Sequence, residues 1–146
     1  LDQGYTKAHM IGISGGGWTT TLYAAIDPRI SYSFPVAGSY PIFLRSESDR
    51  DWGDYEQTEP ELYRIANYPE LYIMGAFGLG RQQYQILNKY DSCCFAGPKW
   101  EVYVKPVQDV VKQLGNGSFN VYSDDSHTEH MISPVVMDLV LKQLAH

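Results

Sequence analysis

Ala8-His9-Met10-Ile11-Gly12-Ile13-Ser14-Gly15-Gly16-Gly17 leads from an apolar segment through a single serine into a glycine cluster, and Trp18-Thr19-Thr20-Thr21-Leu22-Tyr23-Ala24-Ala25 follows. Ala8 to Ile13 reads as a strand and Gly17 to Ala25 as a helix, so Ser14 falls on the turn between them. A serine held on a sharp strand-to-helix turn has its hydroxyl presented outward, as a nucleophile must be. The backbone is crowded at such a turn, and Gly12 and Gly16, two residues to either side, remove the Cβ atoms expected to collide there. Other uses of glycine do not fit. A dinucleotide fingerprint would need glycine where Thr20 stands, and a phosphate loop would need a lysine at the helix start, yet none occurs between Lys7 and Lys89.

Outward from this turn, the chain alternates between strand-like and helix-like segments. Asp27-Pro28-Arg29-Ile30 stops the first helix, and Ser31 to Gly38 reads as a buried strand despite Pro35. Ser39 to Glu61 is polar and aromatic and predicts a long surface loop, a lid or pocket wall. A short helix is expected over Glu61 to Ala66, a short strand over Leu71 to Ala76, and a helix over Arg81 to Lys89. Val107, Val110, Val111 and Leu114 recur at helical spacing, predicting a helix from Val102 to Leu114 that ends at Gly115-Asn116-Gly117. Asn116-Gly117-Ser118 matches a glycosylation sequon but reads better as a turn before the strand Ser118 to Ser123. Ser133-Pro134 opens the last helix. The pattern predicts an α/β fold, a mostly parallel sheet with helices on both faces, in which ligands gather at the carboxyl ends of the strands.

Composition narrows the partners. With 146 residues, 44% of them hydrophobic, the chain is of single-domain size and can bury a core. Eleven basic against seventeen acidic residues give a net charge of −6, and no basic run marks a nucleic-acid or membrane-surface patch. No apolar stretch reaches the roughly 18 residues of a membrane helix. Leu1-Asp2-Gln3-Gly4-Tyr5 enters the serine turn almost at once, leaving the expected strand Ala8 to Ile13 without strands before it. An exposed sheet edge of that kind predicts self-association or attachment to the remainder of a longer chain. Cys93 and Cys94 are adjacent and are the only cysteines; the reading here is a pair of free thiols, because a bridge between neighbours is strained.

A serine hydroxyl becomes nucleophilic when a base takes its proton, and the base in turn needs a group that fixes its tautomer. Two of the four histidines lie in Asp124-Asp125-Ser126-His127-Thr128-Glu129-His130-Met131-Ile132-Ser133-Pro134, between the last strand and last helix. His9 sits inside the first strand and His146 ends the chain, so both are poor bases. His130, in the short approach to the helix start, is the preferred base and His127 the alternative.

The order serine, acid, histidine on these connections resembles the carboxyl-terminal half of an α/β-hydrolase. Ala24-Ala25-Ile26-Asp27-Pro28-Arg29-Ile30 and His130-Met131-Ile132-Ser133-Pro134 are similar to stretches of the serine esterases of that superfamily. The resemblance spans residues 1–146 and implies one partial hydrolase domain lacking the amino-terminal strands. It implies that Ser14 attacks an ester carbonyl, that His130 acts as base and then acid, that the Gly15 amide donates to the oxyanion, and that no metal or organic cofactor takes part. A second oxyanion donor would come from a loop after an earlier strand. The acid is expected a few residues past the strand read at Leu71 to Ala76, where no aspartate occurs; Asp91, 39 positions before His130, becomes the candidate if Arg81 to Lys89 is an inserted helix. Asp54 or Asp51 is the alternative acid, and Asp124 and Asp125 read as loop caps. Trp18, Tyr40, Trp52 and Tyr55 are candidates for shaping an acyl or sugar pocket. The rival readings are a non-catalytic interaction domain that keeps the fold and a small flavodoxin-like binder.

Overall fold

The computed structural model describes residues 4–46 and 51–145. Strands β1 (Ala8–Ile13), β2 (Ile30–Val36), β3 (Gln82–Asn88) and β4 (Ser118–Asp124) form one sheet in that order, and each neighbouring pair is parallel. Parallel neighbours require crossover connections, supplied here by α1 (Gly15–Ile26), by the short α2 (Pro60–Tyr63) with α3 (Tyr68–Ala76), and by α4 (Glu101–Gln113). The last helix, α5 (Pro134–Leu144), starts as read, with the Ser133 hydroxyl accepting from the Val136 amide across Pro134.

Two expected elements are reversed. Leu71 to Ala76 is not a strand but the body of helix α3, and Arg81 to Lys89 is not a helix but strand β3. The helix has a local cause: the Asn67 side chain accepts from the Glu70 amide while the Glu70 carboxylate accepts from the Asn67 amide, with Pro69 in the first turn. The strand has a tertiary one. Its inward side carries Gln83 and Gln85, fully buried, which look like a polar helix face until their partners are present. Gln83 donates to Ser33 Oγ at 3.2 Å; Gln85 donates to the Ser39 carbonyl at 3.1 Å and accepts from Tyr103 Oη at 2.7 Å.

Helices cover both faces of the sheet. On one, α1, α3 and α4 enclose Tyr40, Tyr72, Leu87, Tyr103, Val107 and Phe119; on the other, Val136 and Val140 of α5 close over Phe34, Val36 and Ile86. Burial of side chains this large contributes about 1.5–3 kcal/mol each. Of the apolar positions read along α4, Val107 and Val111 face the core, whereas Val110 and Leu114 lie toward solvent and Tyr103 takes the inner position one turn earlier. The segment Ser39 to Glu61 is less superficial than expected, since Tyr40, Arg45, Asp51 and Gln57 are buried; residues 47–50 of it lie outside the described residues. Pro35 is kept inside β2, and the β2–β3 register skips Phe34 and Pro35, where the missing amide would have had to donate.

Candidate active site

The first strand delivers Ser14 at its carboxyl end. Ser14 takes φ 58°, a left-handed conformation uncommon for a residue with a side chain, and its amide and carbonyl are tied down by Val36 O (3.0 Å) and the Trp18 amide (2.9 Å). The glycines act at different positions than expected. A Cβ on Gly12 would strike the Gly16 carbonyl and come within 2.9 Å of Thr20 Oγ1, so Gly12 fits the expected role. A Cβ on Gly16 would meet nothing within 4 Å; the crowded partner is Gly17, pressed against Val36 O and Gly38 Cα.

Asp91 lies three residues beyond the end of β3, its amide donating to Asn88 O at 3.1 Å. No inserted helix precedes it, because the residues read as that helix are the strand itself. The Asp91 side chain is buried, and its Oδ2 lies 2.8 Å from Nδ1 of His130. The opposite oxygen, Oδ1, accepts from the amides of Cys93 (2.7 Å) and Cys94 (3.2 Å). Two further bonds stitch the acid loop to the histidine loop, from Ser92 N to Thr128 O (3.1 Å) and from Asn88 Nδ2 to Met131 O (3.0 Å), and Asn88 Nδ2 also donates to Asp91 Oδ2 (3.1 Å). With Nδ1 occupied, His130 presents Nε2, which is buried and has no hydrogen-bond partner among the described residues. The structure thus brings Asp91 and His130 together, at the sheet end where Ser14 sits, while no hydrogen bond joins Ser14 to His130.

The other candidates are engaged elsewhere. His127 Nε2 lies 3.2 Å from Asp124 Oδ2. Asp124 behaves as a loop cap: burial disfavours its charge, but hydrogen bonds from Ser126 and Ser133, with His127 nearby, outweigh that and hold its carboxyl below the usual range. Asp125 pairs with Lys89 at 3.8 Å. Asp51 is buried against Lys99. Asp54 is exposed and its Oδ2 lies 3.1 Å from where a Gly15 Cβ would stand, beside the expected oxyanion donor and not beside a histidine. His9 sits edge-on to Tyr32, 5.3 Å between ring centres, and His146 lies outside the described residues.

Cys93 and Cys94 are joined in a disulfide, not free as expected. The bridge is compatible with the tight turn that converges both amides on one Asp91 oxygen, and the signal for that turn, an aspartate two residues before Cys93, was present in the sequence. Asn88 carried no such signal, because its role depends on two loops meeting. Of the aromatics considered for a pocket, Tyr40 is core, Trp18 packs against that core, and Tyr55 is largely exposed. Trp52 lines a cleft of about 690 Å³ with Phe43, Tyr63, Tyr68 and neighbouring prolines; none of Ser14, Asp91 and His130 borders it.

A parallel sheet in the order β1-β2-β3-β4, with a strained serine after β1, an acid after β3 and a histidine after β4, has the α/β-hydrolase fold. The chain is similar to an acylaminoacyl peptidase in complex with Z-Gly-Gly-Phe-chloromethyl ketone, with a TM-score of 0.61 and 17% identity over 97% of this chain and 24% of that one. It is similarly close to the uncomplexed acylaminoacyl peptidase of Pyrococcus horikoshii, with a TM-score of 0.60 and 17% identity over 96% of this chain and 24% of the other. A protein assigned as a dienelactone hydrolase from Klebsiella pneumoniae subsp. pneumoniae aligns with a TM-score of 0.53 and 12% identity, over 94% of this chain and 50% of that one. The chain therefore spans about a quarter of the two peptidases' length. No protein-family model and no curated protein matches it.

Proposed function

We propose that the protein is a serine hydrolase that cleaves carboxylic esters through an acyl-enzyme. In this reading Ser14 attacks the carbonyl, His130 takes the serine proton and returns it to the leaving alcohol, and Asp91 holds the imidazole in the tautomer that exposes Nε2. The observation that carries it is the 2.8 Å contact between His130 Nδ1 and Asp91 Oδ2, with Nε2 left buried and unpartnered at the sheet end that bears Ser14. A water or hydroxyl that met Nε2 would satisfy it, and the serine is the nucleophile expected there.

Gly15 begins α1, so its amide has no partner within the helix and lies at the positive end of the helix dipole. An oxyanion forming on the substrate would be stabilised there, and removing one such donor costs on the order of 100- to 1000-fold in turnover. The same chemistry would serve amides, and two of the similar structures are acylaminoacyl peptidases, so esters and short blocked peptides belong in one assay. A fluorophosphonate probe is expected to label Ser14 in the full-length protein, and Ser14→Ala to abolish both labelling and p-nitrophenyl ester hydrolysis. Undiminished hydrolysis by the alanine variant would refute the assignment. An unlabelled, inactive wild-type protein would favour an interaction domain that retains the fold.

A further inference from the structure

We propose that the Cys93–Cys94 disulfide is a redox site controlling the Asp91–His130 pair, and that its reduction by a dithiol lowers hydrolytic turnover. The inference rests on the hydrolase reading above and adds to it a regulatory group. Both amides of the bridged dipeptide donate to one oxygen of Asp91, at 2.7 and 3.2 Å, while the other oxygen meets His130 at 2.8 Å. The carboxylate is therefore clamped from both sides, and one of the clamps is built from the disulfide-linked residues. The two sulfur atoms and a ring nitrogen of His130 all lie within 4.8 Å of one another, so the bridge also stands against the base itself.

Access favours chemistry at this site. Cys93 is exposed and Cys94 half-buried, whereas Asp91 before them and Phe95 after them are buried, so a reductant reaches the sulfurs without opening the core. Closing adjacent residues into a ring restricts the backbone that aims both amides at Asp91 Oδ1. In the reduced state that restriction is gone, and two thiols with their own hydrogen-bonding needs stand beside the imidazole. The reaction balances: one S–S bond breaks in the protein and one forms in the dithiol, and two electrons with two protons pass to Cys93 and Cys94. Asp91 then holds His130 less firmly, so the imidazole is less often aligned to take a proton and the rate of proton transfer falls.

The test uses the full-length protein, air-oxidised or treated with dithiothreitol and desalted, with iodoacetamide alkylation counted by mass to report the thiols. Cys93 and Cys94 should resist alkylation before reduction and both react after it. Ester kcat and the rate of fluorophosphonate labelling should fall about 10- to 100-fold on reduction, the loss expected for hydrogen bonds to a charged group. KM should stay nearly constant while kcat falls, and reoxidation should restore the rate. The Cys93→Ser, Cys94→Ser double variant should match the reduced enzyme and ignore dithiothreitol. Equal labelling rates in the two states, with both cysteines shown to be reduced, would overturn the redox control and leave the hydrolase reading intact. Alkylation of both cysteines in the air-oxidised protein would overturn it as well, and absence of Ser14 labelling in the oxidised protein would instead remove the hydrolase reading on which it rests.

Discussion

At Ser14 the backbone is held in a conformation that a side chain disfavours, and the neighbouring glycines determine whether it can exist. Gly12 and Gly16 look equivalent in sequence, two residues to either side, yet only Gly12 lies against another part of the turn. Gly12→Ala is expected to push the turn apart, abolishing fluorophosphonate labelling at Ser14. Gly16→Ala should label normally, because its Cβ meets nothing within 4 Å and α1 accepts alanine more readily than glycine. Comparing the two labelling rates checks this, and equal losses would mean that the glycines act otherwise. The candidate residues Ser14, Asp91 and His130 were legible as individual residue types in a workable order. Asn88 was not, because an asparagine at the end of a strand has no local mark of the two loops it joins.

Among the elements, the connection from β4 to α5 depends on Asp124, which accepts from Ser126 and Ser133 while Ser133 caps α5. Its carboxyl is held below the usual range in the folded state, so the unfolded chain binds its proton first as pH falls. The stability it contributes is present above the ordinary aspartate pKa and is lost as pH drops through the lower folded value. Asp124→Asn should therefore cost about 2 kcal/mol near neutral pH. The difference from wild type should shrink toward about pH 3, as denaturant titrations at the two pH values would show. The Asn67-Tyr68-Pro69-Glu70 capping box marks the start of helix α3, but the apolar run that follows is as short as a strand's and by itself reads as one. Strand β3 could not be read from local signals at all: buried glutamines become acceptable only when Ser33, Ser39 and Tyr103 arrive to bond them.

At the scale of the whole molecule, the buried guanidinium of Arg81 ties several elements to one another. Arg81, directly before β3, donates to the carbonyls of Ile30 (3.0 Å), Met74 (2.9 Å), Phe77 (2.9 Å) and Ala24. It therefore closes the ends of α1 and α3 and the start of β2 at once, placing positive charge where helix carbonyls are unsatisfied. Burial lowers its pKa, but an arginine still keeps its charge. Arg81→Met retains the apolar stem and removes all four bonds. A loss of about 3 kcal/mol is expected, with Tm falling by about 10 °C. Calorimetry would measure it, and an unchanged Tm would show that water replaces the guanidinium without cost. Among the described residues no helix is long and apolar enough to cross a membrane.

By itself the sequence determined the serine turn, the alternation that makes an α/β sheet, the amphipathic α4 and the capped start of α5, because each of these is decided within a few residues by sterics, spacing or a cap. It also determined which residue types were available as base and acid. Tertiary structure alone decided that residues 82–88 are a strand, and hence that Asp91 follows the strand end directly. It alone decided that His130 and not His127 meets that acid, and that the Cys93–Cys94 turn grips it from behind. Those outcomes depend on groups far apart in the chain satisfying one another's hydrogen bonds in a buried place, and no local pattern encodes the arrival of a partner.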